Sequence, residues 1–152
     1  MSLTDYAWLA LAAYAVHILE EHTFDWRNWA RAVIGLPVEW SDFYVTNAVV
    51  VVLGIAQAGL SDSMTVAPLS FAALMLINAT FFHVLPFIKA RGRFSPGLVT
   101  AVALFYPIGI AEFVAARAGA GETILAFVIG AILMASPVAF LILKDRPYFR
   151  QT

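Results

Sequence analysis

Long uncharged runs alternate with short charged ones along this chain. Thr123 to Leu143 gives 21 residues without a charge, and Ser63 to Ile88 gives 26 with His83 as the one imidazole. Phe43 to Leu60 and Phe94 to Ala111 each supply 18 more, and the last continues past Glu112 to Ala116. A bilayer-spanning helix needs about 20 mostly apolar residues. The pattern therefore predicts spans over about 43–60, 64–88, 97–116 and 123–143.

The N-terminal run is shorter, because only Tyr6 to Leu19 is free of Asp and Glu. Extending it to residues 3–22 reaches spanning length, with Asp5, Glu20 and Glu21 at its ends. This predicts a fifth span. Ala13-Tyr14-Ala15 looks like a leader-peptide cleavage site, but the residues before it are acidic where a leader would be basic.

Between the first two spans, Trp26, Trp29, Val33 and Leu36 recur at helical spacing around Arg27 and Arg31. Residues 24–36 read as an amphipathic helix lying on the cytoplasmic leaflet, an anchor rather than a lid. The predicted fold class is all-α, one transmembrane domain of five spans plus this interfacial helix.

Composition agrees. Of 152 residues, 62% are hydrophobic and 12% charged, where a soluble domain carries roughly 25% charged residues. Mean hydropathy is +0.84. So little polar surface excludes a soluble monomer and a disordered chain. A net charge of −1 provides no basic field for nucleic acid. Without cysteine there is no thiolate nucleophile and no Cys-held metal, so any metal must sit on His, carboxylate or backbone oxygen.

The cations set the orientation. Arg27, Arg31, Lys89, Arg91, Arg93, Lys144, Arg146 and Arg150 fall on one side of the five-span arrangement, and only Arg117 falls on the other. The positive-inside rule then puts the C-terminus in the cytoplasm and the N-terminus outside, in an inner or plasma membrane.

Ionisable groups within spans are costly, and each is a candidate for function. His17, Glu20 and Glu21 share an arc of about 100° on the first span, continued by Tyr6, Ala10, Ala13 and Tyr14. His22 lies about 140° away. His83 falls about 9 Å and His17 about 7 Å from the cytoplasmic end, with Asn47 at similar depth. Asn78 lies deeper and about 140° off the His83 face, so an ideal helix would not bring both to one pocket. Glu112 lies about 22 Å from the cytoplasmic surface, either as a distal member of a deep cavity or, the favoured reading, as an interfacial carboxylate near Arg117. Pro107, Gly109 and Pro137 read as packing kinks without chemistry.

His17-x-x-Glu20-Glu21, the later His83 preceded by Asn78, and Phe94-Ser95-Pro96-Gly97 resemble the H-x-x-E-E membrane protein family. That family carries this motif, a further histidine and a Y-x-P-G motif, and its biochemical activity is uncharacterised. Phe94 stands here where the pattern has tyrosine. A weaker similarity is to the emopamil-binding sterol isomerases, which have five spans and a His-x-x-x-Glu pair that His17 and Glu21 fit.

The expected function is a membrane-embedded enzyme acting on a lipidic or small hydrophobic substrate, with membrane lipids as its surroundings. His17, His83 and Glu21 are the candidate ligands of zinc or iron, with Glu20 as a further ligand or general base. His17, Glu20 and Glu21 are the candidate catalytic groups, for metal-assisted hydrolysis or oxidation. Asn47, Asn78, Tyr106 and Glu112 are the candidate substrate contacts. Two alternatives stay open. One is a metal-free acid–base isomerase or cyclase, in which a glutamic acid protonates an olefin. The other is a proton-coupled transporter or binding protein, in which a homo-oligomer could supply the inverted repeat that five spans lack.

Overall fold

The computed structural model describes residues 1–144 and 146–149. Arg150, one of the orientation-setting cations, lies outside the described residues.

Among the described residues the chain folds into six helices and no strand. Helix α1 is Leu3–Thr23. A short helix, α2, begins at Trp26–Trp29 and runs on as a π turn, Ala30–Ile34. The others are α3 (Trp40–Leu60), α4 (Val66–Lys89), α5 (Leu98–Ala116) and α6 (Ala120–Lys144). The last four are the helices, among the described residues, that are long and apolar enough to cross a membrane.

That number corrects the expected five. Helix α1 has 21 residues, but Asp5, Glu20 and Glu21 dilute its hydropathy. The physical reason is its sidedness: α1 buries Ala7, Ala10, Ala13, Tyr14, His17, Glu20 and Glu21 and presents Trp8, Val16 and Leu19 outward. His17, Glu20 and Glu21 are turned into the bundle while Asp5 stays exposed near its start, so an average over the helix understates how apolar its outer face is.

Helix α4 is the hub, packing against α1, α3, α5 and α6. Gly130 lets α6 lie close on it: a Cβ there would fall 2.8 Å from the backbone nitrogen of Leu74. Tyr14, Phe71, Leu74, Met75, Phe105 and Ile108 fill the space between α1, α4 and α5. At one end Thr4 donates to Asp62, 2.6 Å away, tying the start of α1 to the end of α3. At the other end Lys144 pairs with Asp42, and Arg27 and Arg31 both pair with Glu39.

Within α6, Pro137 has no N–H for the carbonyl of Leu133. The Ser136 hydroxyl donates to that carbonyl instead, at 2.9 Å, so the break leaves no orphaned acceptor.

Helix α2 is more than a surface anchor. Trp29 and Ala30 are buried against Val38 and Leu141, and Trp26 stacks near Phe43 at 6.0 Å. It closes the end of the bundle beneath the histidines.

Candidate functional site: a buried His–Glu–His centre

The α1 spacing of four residues puts Glu21 one turn below His17 on the buried face. Nε2 of His17 lies 3.4 Å from Oε1 of Glu21. Nε2 of His83, from α4, lies 3.5 Å from the same oxygen. The two imidazole rings meet edge to face, with centroids 4.7 Å apart. Both histidines are fully buried, and Glu21 is 6% exposed. Neither Nε2 has a hydrogen-bond partner among the described residues.

What orients the rings lies one step out. The Thr100 hydroxyl donates to Oε2 of Glu20 at 2.6 Å. A hydroxyl has one proton, so the Nδ1–H of His17 donates to Thr100 Oγ1, 2.8 Å away. In the neutral ring this leaves the Nε2 lone pair bare and aimed at the centre. Nδ1 of His83 lies 3.2 Å from the hydroxyl of the fully buried Ser95, a contact in which either atom can donate. Phe105 packs on His17 at 4.4 Å and Tyr14 lies edge-on at 5.8 Å.

Donor set, burial and bare lone pairs together fit a divalent metal. The ligand atoms of His17, Glu21 and His83 lie within 4.8 Å of one another. Two ligands about 2.0–2.1 Å from a tetrahedral zinc stand about 3.3–3.4 Å apart, which matches both N···O separations. Hydroxyls behind each imidazole are the outer partners that such ligands need.

Glu20 has a different task from the one expected. Its carboxylate accepts from the backbone N–H of Val99 at 3.1 Å and of Thr100 at 2.8 Å, besides the Thr100 hydroxyl. These are N–H groups of the first turn of α5, which have no intrahelical acceptor. Glu20 therefore caps α5 from another helix and orients His17 through Thr100. It stands outside the group of ligand atoms formed by His17, Glu21 and His83.

Gly97 explains the loop before α5. Its φ is +92°, and an added Cβ would lie 2.5 Å from Cε1 of His83 and 2.7 Å from Cε1 of His17. The backbone thus seats directly on both rings, a position open only to glycine.

Two π turns set the register. Ala79–Val84 interrupts α4 between Asn78 and His83, and Ala101–Phe105 follows Thr100 in α5. One extra residue in a turn rotates the following face by about 100°, which cuts the 140° separation of Asn78 and His83 to about 40°. Even so, Asn78 and His83 do not share a cavity, as the helical spacing led one to expect: His83 is not among the residues that line the space beside Asn78. Asn78 lines a cavity of about 70 Å³ with Glu21 and Asn47.

Asn47 reaches that cavity while its amide donates to the Phe43 carbonyl at 3.0 Å. Tyr106 does not line it; the tyrosine hydroxyl lies 3.0 Å from Thr80 Oγ1, on the seam between α4 and α5. Glu112 does not face outward or pair with Arg117. It is fully buried, and neither carboxyl oxygen has a partner among the described residues. Helix α5 turns it inward, whereas Arg117, five residues on, faces out.

Sequence reasoning singled out the triad but passed over Thr100 and gave Ser95 and Gly97 no role. Threonine in an apolar run carries no distinguishing pattern. The Phe94-Ser95-Pro96-Gly97 motif was the available signal for the other two.

The helical bundle and its buried imidazole–carboxylate centre define a membrane protein with a polar site inside its core. The chain belongs to the family described as proteins of unknown function with an HXXEE motif, whose profile matches residues 8–111. No curated protein and no solved structure matches it, so the likeness to the emopamil-binding isomerases gains no support.

Proposed function

We propose that the protein is a membrane-embedded enzyme that acts on a hydrophobic substrate at the His17–Glu21–His83 centre with the help of a bound metal. The observation that carries this reading is the pair of fully buried Nε2 atoms, unpartnered among the described residues and facing one carboxylate oxygen. Burying two imidazole nitrogens without hydrogen-bond partners, at least one of them a bare acceptor beside a carboxylate, is costly unless something positive joins them. His17, Glu21 and His83 would hold zinc or iron. Such an ion, when bound, supplies an activated water or an open position for oxygen. Thr100 holds the His17 tautomer, Ser95 positions the His83 ring, Gly97 brings the backbone against both, and Asn78 and Asn47 face the substrate space beside Glu21.

In this reading α1, though less apolar than the other four, also crosses the bilayer, with Glu20 and Glu21 inward and Asp5 at its exposed end. Arg27, Arg31, Lys89, Arg91, Arg93, Lys144 and Arg146 gather at one end, which supports a cytoplasmic C-terminus and an external N-terminus. The site then lies in the cytoplasmic half of an inner or plasma membrane.

Metal analysis of the purified protein tests the proposal. About one zinc or iron per chain is expected, lost in His17→Ala and in His83→Ala. Protein that is folded, active and metal-free after exhaustive chelation would overturn it.

A proton-coupled carrier is the second reading, favoured by Glu112. This buried carboxyl stands about 18 Å along α5 from Thr100, so protonatable groups occur at two depths. Proton-coupled uptake in proteoliposomes that is abolished by both Glu21→Gln and Glu112→Gln would select it.

A further inference from the structure

Two cavities lie to one side of the centre, and Glu21 is the member of it that lines one of them. The inner one, about 70 Å³, holds Glu21, Asn47 and Asn78. The outer one, about 440 Å³, lies between α3 and α6 with Leu74 of α4 among its lining residues. They share Asp42, Thr46, Pro137 and Leu141, which stand on the boundary between them. Val49, Leu53, Leu133 and Phe140 make the outer walls apolar. Val45 and Phe140, 66% and 68% exposed, stand on its lips. That is the side that faces lipid when α3 and α6 span the membrane.

The sizes and polarities differ in a way that selects a ligand. A volume near 440 Å³ suits an ordinary small-molecule site. The inner space, about 70 Å³, is far smaller. A phosphocholine or sugar headgroup cannot enter it. Asn78, 5% exposed, has an Oδ1 with no partner among the described residues, and its Nδ2 reaches only Met134 Sδ at 3.9 Å. The amide thus presents one free acceptor and one nearly free donor toward that space. At the mouth Lys144 is paired with Asp42. The pair offers no spare cation to a phosphate or a fatty-acid carboxylate.

We propose that the substrate is a single-chain lipid ending in one small neutral group that both donates and accepts a hydrogen bond. A long-chain alcohol or primary carboxamide has this chemistry. It enters sideways from the bilayer between α3 and α6, end group first. The chain lies along the outer cavity, and the end group bonds Asn78 beside Glu21. This inference rests on the reading of the His–Glu–His centre as the reaction site.

Photolabelling with a long-chain alcohol carrying a mid-chain diazirine, in phosphatidylcholine nanodiscs, tests it. Adducts are expected on α3 and α6 around Val49 and Leu133. Unlabelled alcohol or carboxamide should compete about tenfold better than the methyl ether of the same chain, which cannot donate. Asn78→Leu should shrink that preference below about twofold, and Leu133→Trp should block the adducts. Adducts scattered over every lipid-facing helix, or an ether that competes as well as the alcohol with wild-type protein, would overturn the proposal. Groove labelling that persists in metal-free His17→Ala protein sustains it even if the metal reading fails. Metal-replete protein without groove labelling removes this inference alone.

Discussion

The Thr100 hydroxyl lies 2.8 Å from Nδ1 of His17, 83 residues away in the chain. Because the same hydroxyl donates to Glu20, it fixes which imidazole nitrogen keeps its lone pair. Thr100→Val should keep the shape of the side chain and lose that hydrogen-bond partner. Metal affinity is expected to fall about 10- to 100-fold, the usual cost of removing an outer partner of a ligating histidine. Thr100→Ser should restore it. Competition titration with a chromophoric chelator measures the change, and unaltered affinity in the valine variant would show that the relay does not orient His17.

Gly97→Ala tests the seat beneath the rings. The new methyl would press on both imidazoles, and the backbone at φ +92° strains any L side chain. Strain alone is expected to cost about 1–2 kcal/mol, and displaced rings should lose their metal as well. Thermal unfolding read beside metal content separates the two effects. Full metal occupancy with normal stability would mean that the loop does not touch the histidines as described.

Glu39 predicts a pH dependence. Hydrogen bonding from Arg27, with Arg27 and Arg31 both close by, holds its carboxyl below the usual carboxylate range. A group with its folded pKa depressed adds stability that is present above the ordinary carboxylate value and lost as pH falls through the lower, folded one. The clamp on α2 should therefore persist through mildly acidic pH and release only below that range. In Glu39→Gln, α2 should exchange its amide hydrogens faster at neutral pH. Hydrogen exchange of residues 26–34 that matches wild type at neutral pH would refute this.

Glu112→Leu should stabilise the bundle. The carboxyl is fully buried and has no partner among the described residues. Burying an unpaired polar group costs about 1–3 kcal/mol, which an apolar side chain of similar size recovers. A higher unfolding temperature with unchanged metal content is expected. A drop in stability would show that the carboxyl makes an interaction the protein needs.

The outline of this protein was legible in its sequence because bilayer physics acts on local composition. Runs such as Thr123 to Leu143 must be helices whatever surrounds them, since lipid satisfies no backbone group. The face shared by His17 and Glu21 followed from helical spacing alone. The inward turn of α1 was not readable as a hydropathy average, because that average does not see sides. Nor could the fate of Glu20 and Glu112 be read. Both are glutamates on apolar helices, yet one caps α5 and the other is sealed in the core. What decided between them was which helix end or packed surface each met.

By itself, then, the sequence determined that this is a helical membrane protein and which imidazoles and carboxylates could share a layer. The tertiary structure decided which of them converge. A π turn between Asn78 and His83 reset the face of α4, and the Gly97 loop delivered Thr100 to His17. Both are long-range packing outcomes, in which a rotation of one residue redirects a side chain by about 100°. Periodicity along an ideal helix contains no such rotation.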